Sequence, residues 1–264
     1  MSDSVLLEQD KRGVATLTLN RPAKHNAFDD CMITSITAQL ETVAQDASVR
    51  VLILSANGKS FSAGADLGWM QRMANYSEAE NLADAKSLAA MLQRLNTLPQ
   101  PTIARVQGAA FGGAVGLVSC CDIAVGTEKA RFCFSEVKIG LIPATISPYV
   151  IAAIGERAAR RFFTTAEVIS AERAEALGLL SEVVSEAELD TAVDGLVGTI
   201  LQNGPGAVQA SKSLVLDYAQ RPIDSALIAD SCERIARVRV SSEGQQGLSA
   251  FFDKSAPPRA EDDV

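Results

Sequence analysis

Hydrophobic residues along this chain follow short strand-like spacings that alternate with longer helical ones. In Val14–Leu19 (VATLTL) apolar and polar residues alternate with a period of two, which is typical of a β-strand. Val51–Ala56 (VLILSA) is a short, largely apolar run with β-branched residues, and it predicts a buried strand. Thr102–Val106 follows two helix-stopping prolines and predicts a third strand. Further short strands are predicted at Ile123–Val125 and Arg131–Phe134.

The segments between these strands have helical spacing and helix-capping residues. Asp29 or Asp30 can cap a helix that continues to about residue 47. A long helix is predicted from about Ser77 to Asn96, and a turn of small residues leads into an apolar helix over Ala114–Cys121. Strands that alternate with helices in this way predict an α/β fold.

The C-terminal part of the chain is predicted to be mostly helical. Ser170 caps a helix that Gly178 ends, and from Gly204 onward the spacing is helical almost throughout. Repeating strand–strand–helix units followed by this part predict one α/β core, residues 1–200, and a helical C-terminal region, residues 201–264. The last ten residues are predicted to fray.

Composition and charge narrow the possible classes of protein. The chain has 264 residues, 47% hydrophobic and 21% charged, which is an ordinary globular mixture. Its formal net charge of −8 argues against a nucleic-acid groove, because such a groove normally has a basic face. An acidic protein can still bind an anionic ligand through local Lys or Arg side chains and helix N-termini.

Nothing in the sequence indicates export or membrane insertion. The N-terminus lacks a cationic segment followed by an apolar one, so no signal peptide is predicted. No apolar run approaches the roughly 20 residues that span a bilayer. None of the five cysteines forms a C-x-x-C pair, and Cys120 and Cys121 are adjacent, a spacing that rarely allows an unstrained disulfide. We therefore expect a soluble cytoplasmic protein with reduced thiols.

Two turns rich in small residues carry the first sign of chemistry. Phe61–Leu67 (FSAGADL) follows one predicted strand, and Gly108–Leu117 (GAAFGGAVGL) lies between another strand and an apolar helix. Either turn alone would be an ordinary packing feature, and the glycines fit neither a dinucleotide fingerprint nor a P-loop. Backbone N–H groups from two such turns can, however, form an oxyanion hole.

A carboxylate lies near the second turn in sequence. Glu136, within Phe134–Pro143 (FSEVKIGLIP), is predicted at the end of a short strand among apolar residues, which raise a carboxyl pKa and suit it to proton transfer.

The residues that other common kinds of catalytic site require are missing from the sequence. His25 is the only histidine and no G-x-S-x-G motif is present, so a Ser-His-Asp triad is not expected. Cys and His at zinc-ligand spacing are also absent, so no metal is expected.

Taken together, these segments resemble the enoyl-CoA hydratase/isomerase (crotonase) superfamily along nearly the whole chain. The ordered set is far more specific than any member of it. It consists of Asn20-Arg21-Pro22 with Asn26-Ala27, FSAGADL, GAAFGGAVGLVSCCDIAVG, FSEVKIGLIP and the C-terminal GLSAFFDK. The resemblance implies a crotonase-type spiral of repeated ββα units and an enzyme acting on acyl-CoA thioesters, with CoA as part of the substrate and no separate cofactor.

The resemblance also implies roles for individual residues. The N–H groups of Ala65 and Gly113 would form the oxyanion hole, and Glu136 would carry the proton. Lys254 is similar to a basic residue with which family members reach the CoA of a neighbouring subunit. The residues expected to border the substrate or its CoA are Lys24, Ala27, Ala63, Asp66, Leu67, Gly112 and Lys254.

The chain departs from the two-glutamate hydratases of the family at Gly116, where those enzymes have their first catalytic Glu. Ala144–Pro148 replaces the family's glycine-rich segment. The residues around these departures look most similar to bacterial 3-methylglutaconyl-CoA and isohexenylglutaconyl-CoA hydratases of leucine/isovalerate or acyclic-terpene catabolism. Ser147, Tyr149 and Lys138 are candidates to bind the distal carboxylate of such a substrate.

The resemblance also implies two alternative functions and an oligomeric state. Single-glutamate members of the superfamily include Δ3,Δ2-enoyl-CoA isomerases, in which one carboxylate moves a proton between C2 and C4. A non-catalytic acyl-CoA or RNA-binding protein on the same scaffold is the other alternative, and the acidic charge disfavours RNA. Family members are trimers or dimers of trimers, so self-association through the C-terminal helices is expected, without nucleic acid or membrane.

Overall fold

The structure, a computed structural model, describes residues 3–255 and contains nine β-strands in that range. The strands predicted at Val14–Leu19, Val51–Ala56 and Thr102–Val106 have these bounds in the structure. The predicted fraying of the last ten residues falls almost wholly outside the described residues. The strands are β1 (Val5–Gln9), β2 (Val14–Leu19), β3 (Val51–Ala56), β4 (Thr102–Val106), β5 (Ala109–Phe111), β6 (Ile123–Thr127), β7 (Arg131–Cys133), β8 (Ile169–Ser170) and β9 (Glu182–Val184).

Eleven α-helices occur in the described residues, and two short 3-10 helices accompany them, Pro22–Lys24 and Glu136–Ile139. Within residues 3–255, none of these helices combines the length and apolar character needed to cross a bilayer. The α-helices are α1 (Asp30–Gln45), α2 (Leu67–Met73), α3 (Glu78–Asn96), α4 (Gly113–Cys120), α5 (Ser147–Ile154), α6 (Glu156–Thr165), α7 (Ala171–Leu177), α8 (Leu189–Leu201), α9 (Pro205–Tyr218), α10 (Ser225–Arg239) and α11 (Ser242–Phe252).

The main sheet has six strands in the order β1-β2-β3-β4-β6-β9. Strand β1 is antiparallel to β2, and every other neighbouring pair is parallel. The carboxyl ends of β2, β3 and β4 therefore meet at one edge of the sheet. In open α/β sheets ligands bind beyond this edge. The loops that follow these three strands are where a functional site is expected.

A second, smaller sheet of order β5-β7-β8 receives the chain after it leaves the main sheet. Strand β4 is followed by β5 and then by α4, and β6 is followed by β7 and then by helices. The loops after β2 and β3 also pair in parallel after leaving the main sheet, but through single β-bridges instead of strands. Phe28 pairs with Ala65, and Ser62 pairs with Ala110. This repetition confirms the predicted crotonase-type spiral of ββα units.

The core of the spiral lies between the main sheet and the helices that cover one of its faces. Helix α1 buries one stripe against it, formed by Met32, Ile33, Ile36, Leu40 and Val43. Helix α3 buries only Met91, Leu92 and Leu95 near its C-terminal end. Burying apolar area at about 25 cal/mol per Å² is the main force that holds these layers together. This packing stabilises the sheet on whose carboxyl edge the loops of the site are held.

The chain divides into two compact units, Met1–Leu196 and Val197–Val264. The first contains both sheets. The second contains α9, α10 and α11, and the structure describes it to residue 255. The domain boundary that the sequence predicts at residue 200 stays a prediction.

Candidate active site

The loop after β2 is fastened to the loop after β3 by one buried side chain, Asn26. Its amide oxygen accepts a hydrogen bond from the Arg21 N–H at 2.8 Å. Its amide nitrogen donates to the carbonyl oxygens of Asn57 at 2.8 Å and Ser60 at 3.0 Å. Asn26 has a positive φ of 53°, which non-glycine residues adopt uncommonly, with Asn enriched among those that do. The satisfied amide holds the two loops in one arrangement.

Ala65 lies in the second of these loops, and its main-chain N–H has no hydrogen-bond partner among the residues that the structure describes. The Phe28 N–H donates to the Gly64 carbonyl at 2.8 Å, and the Asp66 N–H donates to the Phe28 carbonyl at 2.9 Å. This parallel bridge uses the groups on either side of Ala65. Within residues 3–255 the Ala65 N–H itself donates to no protein atom. Few partly buried N–H groups lack a partner, so this one is a candidate to bind a ligand.

Asp66 fixes the end of the same loop. Its carboxylate accepts from the N–H groups of Gly68 and Trp69 and so caps α2. It also pairs with Lys24 at 2.9 Å and Arg21 at 3.1 Å. The pKa of Asp66 is lowered to about 2, because the hydrogen bond from Lys24 and those from the backbone outweigh the effect of burial. The carboxylate is therefore ionised throughout the neutral range and anchors the loop.

The second turn runs from β5 into α4. Gly112 is buried and has φ 54°, and its N–H donates to the Cys133 carbonyl at 2.8 Å. Helix α4 then begins at Gly113. The first N–H groups of a helix have no intrahelical partner, and within the described range Gly113 donates to no protein atom. A second unpaired backbone donor therefore lies at this turn, at the positive end of a helix dipole.

The two turns are packed against each other. The Phe111 N–H donates to the Ser62 carbonyl at 3.0 Å. Gly64 has φ 88°, and a Cβ built on it would lie 2.6 Å from the Phe111 carbonyl oxygen. A Cβ at Gly113 would lie 2.8 Å from Cζ of the Phe28 ring. Only glycine allows approaches this close, so the glycines at 64 and 113 are required by contact between the loops.

Glu136 lies beside the second turn. It is the first residue of the 3-10 helix Glu136–Ile139, three residues beyond Cys133, where β7 ends, and so it does not lie at the predicted strand end. A Cβ at Gly112 would lie 3.3 Å from its Oε1. Its other oxygen, Oε2, is buried and has no hydrogen-bond partner within residues 3–255. Burial raises the pKa of Glu136, which makes the carboxyl a better proton acceptor than an exposed Glu.

The position of the missing family glutamate is closed by an aliphatic side chain. Gly116 lies one helical turn beyond Gly113, on the same face of α4. A Cβ at Gly116 would lie 2.3 Å from Cγ2 of Ile146 and 3.4 Å from Cδ2 of Leu92. Ile146 is buried. The side chain of Ile146 therefore occupies the place where a side chain at 116 would begin.

Three of the remaining predicted residues lie in or directly after the loops that follow β2 and β3, and the fourth, Lys254, lies in the second unit. Ala27 is buried and Ala63 is exposed, although the Ala63 N–H donates to the His25 carbonyl at 2.9 Å. Leu67 is 75% exposed directly after Asp66. Lys254 belongs to the second unit, where it is exposed and follows α11. Its expected contact is with a neighbouring subunit and stays a prediction.

Two residues of this region, Phe28 and Ile146, are given no role by the sequence-based predictions. Phe28 contacts both turns, and Ile146 fills the space at Gly116. No local pattern marks them, because each is an ordinary apolar residue next to a helix start. Only the tertiary contact gives them a place in the site.

A possible cation-binding group also occurs at the start of α1. Among the residues the structure describes, Asp29, Asp30 and Cys31 can bring one ligand atom each to a common point. Asp29 already caps α1 and pairs with Arg21, and Asp30 pairs with Arg72. These acidic side chains therefore have structural partners, and no metal chemistry follows from them.

The spiral fold, the two unpaired N–H groups and the half-buried Glu136 carboxyl are typical of a crotonase-fold enzyme site. Residues 9–261 match the family enoyl-CoA hydratase/isomerase. A crystal structure of an enoyl-CoA hydratase from Shewanella pealeana is 46% identical with a TM-score of 0.94, over 97% of this chain and 95% of that chain. An enoyl-CoA hydratase from Mycobacterium smegmatis is 34% identical with a TM-score of 0.93, over 98% and 99%. The chain belongs to the enoyl-CoA hydratase/isomerase family.

Curated relatives agree with this membership. The 2,3-dehydroadipyl-CoA hydratase of Escherichia coli K12 is 33% identical over 260 residues, which cover 97% of this chain and 98% of that protein. A crotonyl-CoA hydratase of Syntrophomonas wolfei is 30% identical over 258 residues, with 96% of both chains covered. The protein is therefore a lyase of the hydratase type that acts on acyl-CoA thioesters.

Proposed function

We propose that the protein adds water across the C2=C3 bond of a branched glutaconyl-type acyl-CoA, such as 3-methylglutaconyl-CoA or isohexenylglutaconyl-CoA. These thioesters belong to leucine/isovalerate and acyclic-terpene catabolism. The observation that carries the proposal is a pair of unpaired backbone donors, Ala65 and Gly113, beside the half-buried Glu136, whose Oε2 atom is buried and has no hydrogen-bond partner among the described residues. The reaction uses water and these groups alone, and CoA enters only as part of the substrate.

The proposed mechanism follows from where charge develops. Glu136 accepts a proton from water while the oxygen of that water bonds to C3, and the electrons of the double bond move onto the thioester oxygen. The N–H groups of Ala65 and Gly113 hold this oxygen, and they bind the enolate more strongly than the neutral thioester. Loss of one such donor in other enzymes costs about 3 kcal/mol. Protonated Glu136 then gives its proton to C2 as the enolate collapses.

A single carboxylate is consistent with this sequence of steps. Ile146 closes the space beside Gly116, so Glu136 acts in both proton transfers. The same observation favours a second candidate function, double-bond migration, in which Glu136 moves one proton between C2 and C4. That reaction needs no bound water. The two activities are distinguished by the product formed.

The proposed acyl group is branched and carries a second carboxylate. Large aliphatic side chains follow the site residues closely in sequence and are exposed, which supports an apolar acyl chain as their partner. They are Leu67, Ile139, Leu141 and Ile142. A dehydroadipyl group carries a distal carboxylate, so the name of the Escherichia coli relative supports a dicarboxylic substrate.

Three residues are candidates to bind that carboxylate, and they differ in exposure and in hydrogen bonding. The Ser147 hydroxyl already donates to the Ala144 carbonyl at 2.8 Å. Tyr149 is half-buried, and burial raises its hydroxyl pKa, so it stays protonated and able to donate. Lys138 is exposed two residues beyond Glu136. Tyr149 and Lys138 are therefore stronger candidates than Ser147 to bind an anionic acyl end.

The test is a comparison of two substrates that differ only at the distal end, 3-methylglutaconyl-CoA and 3-methylcrotonyl-CoA. We expect kcat/KM for hydration to be at least about tenfold higher for the carboxylated thioester, because a hydrogen bond to a charged group contributes about 1.5–3 kcal/mol. Hydration is followed by loss of enoyl absorbance, and the product is identified by mass spectrometry. A 3-enoyl-CoA in the same panel reports double-bond migration.

The panel separates the outcomes clearly. Equal kcat/KM for the two matched thioesters would remove the distal carboxylate from the proposal. Migration of the 3-enoyl-CoA double bond without any hydration would make the protein an isomerase. Failure of all thioesters to react would contradict the proposed activity altogether.

We propose that the protein assembles as a homotrimer or a dimer of trimers. The second unit supports this, because many large hydrophobic residues of its helices are exposed. Examples are Val215, Ile228, Val240, Phe251 and Phe252. Exposed apolar surface on this scale marks an interaction site. Sedimentation velocity is expected to give three or six times the 27.8 kDa chain mass, and a monomer at micromolar concentration would contradict it.

A further inference from the structure

The main chain of Phe28 fixes the direction of the first proposed oxyanion donor. The Phe28 N–H and carbonyl bond to Gly64 and Asp66 at 2.8 and 2.9 Å, one residue on either side of Ala65. In a parallel bridge the residue between two such bonds turns its own N–H to the opposite side. The Ala65 N–H is therefore directed away from Phe28 by these two hydrogen bonds.

The side chain of Phe28 meets the second proposed donor. A Cβ built on Gly113 would lie 2.8 Å from ring atom Cζ and 3.4 Å from Cε2 of Phe28. The tip of the ring therefore lies against the α-carbon of Gly113, where α4 begins. One residue thus contacts the loop of Ala65 through its backbone and the turn of Gly113 through its ring.

The ring has little freedom to move. Phe28 is only 1% exposed. The ring of Trp69 lies against it, with the two ring centroids 6.4 Å apart. The Trp69 indole N–H in turn donates to the Asp84 carboxylate at 3.1 Å. A ring held in this way acts as a rigid spacer, because packed interiors resist small changes of volume.

We propose that Phe28 is a positioning residue that sets the separation of the Ala65 and Gly113 N–H groups and so tunes how tightly the site binds an enolate. This rests on the proposed function only in taking these two groups as the oxyanion donors. A shorter side chain lets the two turns approach or shift. A longer one pushes Gly113 away. In either case one oxygen no longer meets both donors at good geometry.

The experiment changes the length of the spacer in both directions. Phe28→Leu removes the ring tip, and Phe28→Tyr adds an oxygen at the atom that faces Gly113. We expect kcat for hydration to fall about tenfold to a hundredfold in both variants, since a misplacement of about 1 Å can have effects of this size. KM is expected to change by less than about threefold, because contacts outside the oxyanion hole are kept.

A binding measurement reads the oxyanion hole without any reaction. Acetoacetyl-CoA forms an enolate with its own ultraviolet absorption, whereas butyryl-CoA forms none. We expect the Phe28 variants to bind the acetoacetyl-CoA enolate at least about tenfold more weakly than the unaltered protein, with butyryl-CoA affinity nearly unchanged. Phe162→Leu is the matched control, because Phe162 on α6 is also buried and has no place in the site.

The outcomes bear on Phe28 separately from the proton role of Glu136, because the buffer can take the C2 proton of acetoacetyl-CoA and the assay follows binding of the enolate rather than turnover. Retention of kcat and enolate affinity within about twofold in both variants would overturn the proposal. So would an equal loss in Phe162→Leu, or unfolding of both Phe28 variants while Phe162→Leu folds, since either result would make Phe28 a packing residue only. Loss of enolate affinity with intact butyryl-CoA binding supports it.

Discussion

Glu136→Gln is expected to lower the hydration turnover number at least about a hundredfold, within the usual range for general acid–base catalysis. The amide keeps the size of the side chain beside Gly112 but cannot accept a proton. The affinity for the acyl-CoA thioester is expected to stay within a few-fold, because the two backbone donors are unaltered. Initial rates and equilibrium binding of a non-reacting thioester measure the two quantities.

The same variant has a stability signature that follows from the raised pKa of Glu136. Folding buries the carboxyl and disfavours its ionised form, so the ionised side chain destabilises the native state. This penalty is absent below the unfolded carboxyl pKa of about 4.3 and grows as the pH rises toward the folded pKa. The melting temperature of Glu136→Gln minus that of the unaltered protein should therefore increase from pH 4 to pH 7.

Glu175→Gln serves as the control for the pH series, because Glu175 is an exposed helix residue outside the site. Near-normal turnover in Glu136→Gln would remove this residue from the mechanism. A melting-temperature difference that shrinks as the pH rises would contradict the burial effect, even if turnover is lost.

Gly116→Glu is expected to destabilise the protein and to abolish hydration rather than to supply a second base. Its Cβ would lie 2.3 Å from Cγ2 of the buried Ile146, so the helix or the Ile146 side chain must move. Overpacking of this kind costs about 1–3 kcal/mol, and burying a carboxylate adds to it. Chemical denaturation measures the loss of stability, and crotonyl-CoA hydration measures activity.

Ile146→Ala is the partner change that tests the cause. Combined with Gly116→Glu, it removes the blocking methyl groups and is expected to restore part of the stability and to give faster crotonyl-CoA hydration than Ile146→Ala alone. Strictly additive stability losses in the double variant would show that the two side chains do not compete for the same space. Full stability of Gly116→Glu alone would contradict the contact itself.

The sequence predicts most elements that have a local signal. The period-two run Val14–Leu19 and the apolar run Val51–Ala56 are strands with those bounds, and Ser77 caps α3 with a complete capping box. The cap of α1 is Asp29 rather than Asp30. These features depend on neighbours within a few residues, which is why the pattern alone suffices for them.

Some strands and helices have no distinctive sequence pattern, and the sequence does not predict them. Strand β1 (VLLEQ) has no alternation of apolar and polar residues and β5 has only three residues, and both form because a neighbouring strand pairs with them. Helix α2 has a single buried residue, Trp69, and is defined mainly by the Asp66 cap. Tertiary context decides all three.

The site shows the same division between local and distant causes. The glycine turns and Glu136 have recognisable sequence surroundings, so they are predicted as a group. The spacer Phe28 contacts residues 36 to 85 positions away, and Ile146 acts on Gly116 across 30 positions. No window of sequence contains both members of either contact. Packing between distant segments therefore gives these two residues their place, and only the folded chain reveals it.

A crystal structure of Glu136→Gln with an intact enoyl-CoA bound would test most directly whether two backbone amides hold the acyl oxygen. We expect the thioester oxygen to lie about 2.7–3.1 Å from the main-chain nitrogens of both Ala65 and Gly113. A thioester oxygen that faces solvent or a side chain, with either nitrogen out of hydrogen-bond reach, would contradict the proposed mechanism.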